Sequence, residues 1–241
     1  MSRFHVGAVL DRIPGARYFE GGVSHLELKL HGTPRIATAK KMRAGLASGA
    51  SLAVQLPLSV LGGTRGALRP DDERALDDLL AAVDALAPRF VVLASGVELT
   101  PGPRDREALA AFAERLRAAK APPLVWAAGG PWEGEDAARF AAKIGVQCAL
   151  DPLEPVTIAG PLSYGRVRAI GVHARLGDGI LARIAEAMLA TGADDAFIAL
   201  EAGEGPRRAR RLAQILRGES GDGDGEDESA ASDDDDADDD E

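Results

Sequence analysis

The chain is poor in the residues that mark several large classes of protein. Of its 241 residues a single one, Cys148, is a cysteine, so no disulfide framework can form within the chain and a reducing compartment is expected. Aromatic residues make up 4% and are not interleaved with the basic stretches, so no nucleic-acid partner is expected. No run approaches the roughly 18 apolar residues of a membrane span. The opening stretch "MSRFHVGAVLDRIPG" has too short an apolar run for a secretory leader and no small-residue cleavage pattern, so a soluble, cytoplasmic protein is expected. No G-x-G-x-x-G follows the first apolar segment, and no H-E-x-x-H or comparable ligand spacing occurs, so neither a dinucleotide nor a metal is called for. The last stretch, 219–241, lacks Lys and Arg altogether.

That stretch divides the chain in two. It holds 14 of the 38 Asp and Glu, which leaves 24 acids against 28 Lys and Arg in residues 1–218. The body is thus mildly basic, and the tail is low-complexity Asp, Glu, Gly and Ser with nothing more apolar than alanine. Such a segment cannot bury enough surface to offset the entropy of ordering, so a folded domain at 1–218 and a disordered acidic tail at 219–241 are expected. A tail of like charge suits a plain solubilising role, and also a basic partner, mimicry of nucleic acid, or folding back on the arginine-rich stretch "RRARRLAQILR" of the chain itself. "DGDGEDE" is not a calcium loop: the sixth position from Asp222 is Asp227 rather than Gly.

Hydrophobic residues supply 46% of the chain, enough for a sizeable core, and their spacing alternates between short apolar runs and amphipathic ones. Strands are predicted at 3–10, 23–30, 51–57, 89–95, 123–128, 146–152, 166–174 and 195–202. Helices are predicted at 34–47, 71–87, 104–120, 133–145, 178–192 and 205–218. In 71–87, Leu76, Leu79, Leu80, Val83 and Leu86 form one stripe behind an acidic first turn. The Pro- and Gly-rich stretch 153–165 reads as loop. Eight strands with helices after most of them predict parallel βα units and an α/β fold of the (β/α)8 TIM type, near the compact end of its size range. The link 11–22 is too short for a full helix, so the first unit is expected to be irregular. An open doubly wound sheet is the alternative.

The second strand carries the most pointed pattern. In "SHLELKLHGTP", Leu26, Leu28 and Leu30 alternate with Glu27, Lys29 and His31. In a parallel barrel one strand face meets the helix ring and the other the lumen. Leucines on the helix side turn Glu27, Lys29 and His31 inward, toward the mouth where barrel enzymes keep their chemistry. These three are the candidate catalytic residues for acid–base work. Gln55, Ser95, Trp126, Asp151, His173 and Glu201 stand at other strand ends, and all but Ser95 are carried as binding candidates for a small-molecule ligand. Plainer roles exist for each. Glu27 and Lys29 suit a lumen ion pair, His31 a loop, His173 a structural histidine, Asp151 a turn before Pro152, and Trp126 and Trp132 core packing. Cys148 suits a buried small hydrophobe, and His5 falls toward the bottom of the barrel.

Three patches resemble the YecE-like proteins (domain of unknown function 72). "YFEGGVSHLELKLHGTP" is similar to the family's early strand, with Tyr18, Phe19 and Glu27 in matching positions. "SLAVQLP" is similar to its next strand. "VRAIGVHARLGDGILARIAEAM" with "DDAFIALEAGEGPRRARRLAQIL" is similar to its last third. The resemblance implies a TIM barrel whose activity is not established, with Glu27 as the carried-over site residue. The chain departs from the family at Lys29 (Asn there), at Gln55 (Lys there) and at Glu201 and Ala202 (paired Asn there). It keeps Trp132 from the family's Pro-Ser-Trp stretch and has only "VGAVLDRIPG" at the N-terminal motif. Lys29 is then a lysine that has moved between strands, keeping one cation in the lumen. Two readings follow: a small-molecule enzyme or binder working at the mouth, or a degenerate barrel serving as a scaffold.

Overall fold

A computed structural model describes residues 3–57, 73–154, 162–169 and 176–219. The expected tail from 220 onward and His173 lie outside the described residues. Among the described residues there are eight strands: β1 (Arg3–Leu10), β2 (Val23–Lys29), β3 (Ser51–Gln55), β4 (Phe90–Ala94), β5 (Leu124–Ala127), β6 (Gln147–Ala149), β7 (Leu162–Ala169) and β8 (Asp195–Ala202). Six helices among the described residues accompany them: α1 (Ile36–Ala44), α2 (Glu73–Leu86), α3 (Pro103–Ala118), α4 (Gly134–Lys143), α5 (Asp178–Ala190) and α6 (Gly205–Leu216). Between β1 and β2 there is only a 3-10 segment, Ala16–Gly22, broken by an extended Glu20 and a left-handed Gly21. None of the described helices is long and apolar enough to cross a membrane.

The strands run in the order β6-β5-β4-β3-β2-β1-β8-β7, every pair parallel. The two ends of that order meet. Leu150 bridges Gly165, with Leu150 N–H donating to Tyr164 O at 3.1 Å and Arg166 N–H to Leu150 O at 2.8 Å. This seam makes the sheet a barrel rather than an open doubly wound layer.

The side chains then sort into two layers, as the strand alternation requires. The outer layer packs Leu26, Leu28, Leu30, Leu52, Val54 and Trp126 against helix residues such as Leu76, Leu79, Val83 and Leu109. The inner layer, inside the barrel, is Ala53, Phe90, Val92, Val125, Tyr164, Phe197 and Ala199, with Val9 and Ala149 against it. The three leucines of β2 therefore face the helices, and Glu27 faces in.

Two local departures from the expected elements shape the site. The β1–β2 register slips between Val6 and Gly7: Val6 pairs with Val23 and Gly7 with His25, leaving Ser24 as a bulge. Tyr18 spans this bulge, its hydroxyl accepting from Ala8 N–H at 2.7 Å and donating to His25 O at 3.0 Å. Gly7 is required there, since a Cβ would lie 2.0 Å from His25 O. The bulge resets the alternation, so that Val23 joins the outer layer while His25, two residues on, turns into the lumen.

The second departure corrects the sequence reading of 153–165 as loop. β7 begins at Leu162, and Leu162–Ala169 pairs in unbroken register with Asp195–Ala202. Gly165 reads as a loop marker but sits within the strand, where Met188 Sδ and Pro152 Cγ come within 3.1 Å of the place a Cβ would take.

Candidate functional site

The polar groups of the lumen form one connected chain, rooted on β2 and crossing the barrel to β7 and β8. At its base is His25, fully buried, whose Nε2 lies 3.1 Å from the Tyr164 hydroxyl. The Tyr164 hydroxyl donates to Glu27 Oε2 at 2.9 Å, and Arg166 donates through Nε to Glu27 Oε1 at 3.0 Å. The same guanidinium reaches Gln55 Oε1 at 3.3 Å and Glu201 Oε2 at 3.0 Å through Nη2. Glu201 in turn faces Lys29 Nζ at 3.8 Å and Arg168 Nε at 3.5 Å.

Burial sets the electrostatics. Glu27 has no exposed surface, and desolvation pushes its carboxyl above the ordinary range; the Arg166 charge and the two hydrogen bonds offset this in part. Desolvation opposes the Arg166 charge too, but Glu27 and Glu201 outweigh it, so the guanidinium is held firmly charged. Burial drives His25 down to about 3, with His5 repelling a second charge, so its imidazole is neutral. Its Nδ1 has no hydrogen-bond partner among the described residues. Tyr164 is pushed up by burial and by Glu27 beside it, which keeps its proton in place as the donor.

Exposure rises toward the mouth. Arg166 is 9% exposed and Glu201 15%, whereas Lys29 is 39% and Arg168 69%. Lys29 pairs in register with Gln55, and Arg168 with Glu201, so these four stand side by side at the C-terminal ends of β2, β3, β7 and β8. Lys29 thus delivers its charge to the same part of the lumen that a lysine at position 55 would reach.

The structure gathers Glu27, Lys29, Gln55 and Glu201 into this network and leaves other candidates apart. His31 lies outside the lumen on the exposed loop after β2, with Nε2 at 2.9 Å from Asp11 Oδ1. The strand ends at Lys29, so the inward alternation stops before His31. Trp126 is on the helix side of β5, fully buried against Trp132 and Phe140, and its Nε1–H donates to Ser95 Oγ at 3.0 Å. It alternates with Val125, which takes the lumen side. Asp151 Oδ1 accepts from Leu153 N–H at 2.9 Å, a turn-shaping bond. Cys148 is buried in the outer layer, its thiol pushed up to about 12 by desolvation. His5 stacks on Phe197 with centroids 4.4 Å apart near the bottom of the barrel.

His25, Tyr164 and Arg166 complete the network without having been singled out from the sequence. His25 shares the parity of Glu27 and Lys29, so extending the same alternation one step back would have found it. Tyr164 falls before the predicted start of the seventh strand at 166, and Arg166 is its first predicted residue, at the end away from the mouth, whereas β7 in fact begins at Leu162. Among the described residues, no three of His, Cys, Asp and Glu converge as a metal cluster. Glu27 and Glu201 are each tied to Arg166 instead.

No family model and no curated protein matches the chain. Solved structures do. Two structures of a DUF72 family protein from Enterococcus faecalis V583 superpose with TM-scores of 0.68 and 0.66 at 10% and 11% identity. They cover 90% and 89% of this chain and 98% and 96% of theirs. Endonuclease IV from Thermus thermophilus matches at a TM-score of 0.51 and 19% identity, covering 90% of this chain and 98% of that one. A xylose isomerase-like TIM barrel/4-hydroxyphenylpyruvate dioxygenase fusion protein matches at 0.55 and 16% identity, over 90% of this chain and 42% of that one. These likenesses show a TIM-barrel fold, and the DUF72 structures agree with the resemblance carried by the sequence motifs.

Proposed function

We propose that the chain is a divergent relative of the DUF72 barrels that binds a small anionic molecule at the C-terminal mouth. One observation carries the reading: three cations, Lys29, Arg166 and Arg168, surround the single carboxylate of Glu201 at the strand ends. Glu27 neutralises Arg166 from below, so Lys29 and Arg168 share what remains of Glu201 and keep exposed faces toward solvent. A carboxylate or phosphate entering there meets two cations, with Gln55 as a hydrogen-bonding neighbour. Glu27, whose carboxyl is raised and joined through Tyr164 to His25, lies directly beneath as the group able to hold or release a proton.

The experiment is a melting-temperature and calorimetric titration of the full chain with small dicarboxylates, sugar phosphates and inorganic phosphate. At least one should stabilise the protein, and Lys29→Met with Arg168→Met should weaken its binding by about tenfold or more, the loss of a charge-assisted contact. No stabilisation by any anion, or affinity unmoved by both substitutions, would defeat this reading. The second reading, a non-catalytic scaffold, is favoured by the way Phe90, Phe197 and Tyr164 fill the lumen below Glu27 and by the pairing of both Glu27 oxygens. It is the reading that failed titrations would leave standing.

A further inference from the structure

A second basic surface lies on the flank of the barrel, along α6. Arg207, Arg210, Gln214 and Arg217 recur at spacings of three and four residues, so they line one face of the helix. That face meets the 3-10 segment after β1. Arg210 Nη2 donates to Arg17 O at 3.1 Å, and Arg217 Nη2 to Gly21 O at 3.1 Å. The approach is close enough to need glycine, because the Arg210 stem lies 2.7 Å from where a Gly21 Cβ would be. Carbonyls are neutral acceptors, so these bonds position Arg210 and Arg217 without cancelling their charge, and Arg17 adds a further exposed cation. On the neighbouring face of α6, Arg208 pairs with Glu204 and Arg211 with Asp178.

The C-terminal end of this helix points to an occupant. Gly218 takes φ 73°, Glu219 N–H donates to Gln214 O at 3.0 Å and Gly218 N–H to Ile215 O at 2.9 Å, a Schellman turn that stops the helix from continuing along its axis. Arg217 then grips Glu219 with two bonds, Nε to Oε1 at 2.7 Å and Nη2 to Oε2 at 3.1 Å. Glu219 is the first of the 14 acids in 219–241.

We infer that the acidic segment 219–241 docks along the arginine face of its own α6, over Arg217, Arg210, Arg207 and Arg17, with the Arg217–Glu219 pair as its first contact. Reach is no obstacle. The 12 residues of α6 span about 18 Å at the helical rise, which about six extended residues cover. Asp222 and Asp224 fall within that distance of Glu219. Single surface pairs contribute little and are screened by salt, but many acids tethered beside one basic face act at a high effective concentration. Docking in cis is therefore expected to be multivalent and salt-sensitive, and it does not depend on what the mouth binds.

A labelled peptide of residues 219–241 tests this by anisotropy against three full-length chains: wild type, a chain whose acids from Asp222 to Glu241 are changed to Asn and Gln, and that chain with Arg207→Gln and Arg210→Gln added. The peptide should bind the neutral-tail chain at least about tenfold more tightly than wild type, whose own tail competes. Binding should weaken as salt rises and fall again with the two arginine substitutions. Equal affinity for wild type and the neutral-tail chain would overturn docking in cis. Affinity insensitive to Arg207 and Arg210 would overturn the surface. Competition that grows with wild-type concentration would assign the face to a second copy and overturn the inference as well.

Discussion

Glu27 tolerates complete burial because its two oxygens are met separately, one by the Tyr164 hydroxyl and one by Arg166. An unpaired carboxylate in that position would be costly enough to stay protonated. Burial still wins over the pairing, since the carboxyl sits above its usual value of 4.5. The native chain thus retains a proton that the unfolded chain gives up. A raised native value contributes stability that is fully present below 4.5 and is lost as pH rises through the native value. Urea unfolding of wild type and Glu27→Gln across that range should show the wild-type advantage shrinking with rising pH. An advantage that grows instead would mean that Arg166 controls the carboxylate and burial does not. At this scale the sequence was partly legible. Glu27 and Lys29 were readable from alternation with leucine, whereas the partner that makes Glu27 tenable, Arg166, lies 139 residues away. His31 follows the same alternation on paper and fails because the strand has already ended.

At the scale of elements, the β1–β2 junction decides that Val23 faces the helices although His25, two residues on, faces in. Three features act together: the slip after Val6, the Tyr18 hydroxyl that satisfies Ala8 N–H across it, and the missing side chain of Gly7. A Cβ on residue 7 would run into backbone, which cannot give way as a flexible side chain could. Gly7→Ala should therefore cost about 3 kcal/mol or more in chemical denaturation, at the upper end of overpacking penalties. Gly15→Ala, which has open space around it, should cost far less. Near-equal losses would show that the bulge is not held by this contact. Neither the bulge nor the early start of β7 has a local signature. Gly165 is a turn residue by composition, and only the approach of Met188 and Pro152 explains its place inside a strand. α2, by contrast, was readable from its spacing: Leu76, Leu79, Val83 and Leu86 are buried, and Leu80, at the edge of the stripe, is partly buried against the same core.

For the whole molecule, the barrel is unevenly sealed. β8 pairs over eight residues with β7 and over six with β1, while β6 has three residues and meets β7 through one bridge. At the opposite end from the mouth, Arg3 and Arg89 hold Asp195 at 2.8 Å and 3.0 Å, and Arg89 also lies over the Phe197 ring at 4.7 Å. A charged cluster thus stands at that end. Opening should therefore begin at the β6–β7 seam. In native-state hydrogen exchange, the Leu150 and Arg166 amides should exchange well before those of Phe197 to Leu200 in β8. Simultaneous exchange of both sets would indicate a single cooperative unit with no weak seam.

The sequence by itself determined the number and order of strands, the burial of the leucine faces and the inward turn of Glu27 and Lys29. These follow from periodicity, which is a local property of the chain. Tertiary structure alone decided that the sheet closes, that Val23 turns to the helix side across the bulge, that Tyr164 stands beneath Glu27, and that Arg166 joins Glu27 to Glu201. Each of those depends on pairings between strands far apart in the chain, or on a one-residue slip that reverses which side chain faces in. No local pattern carries that information.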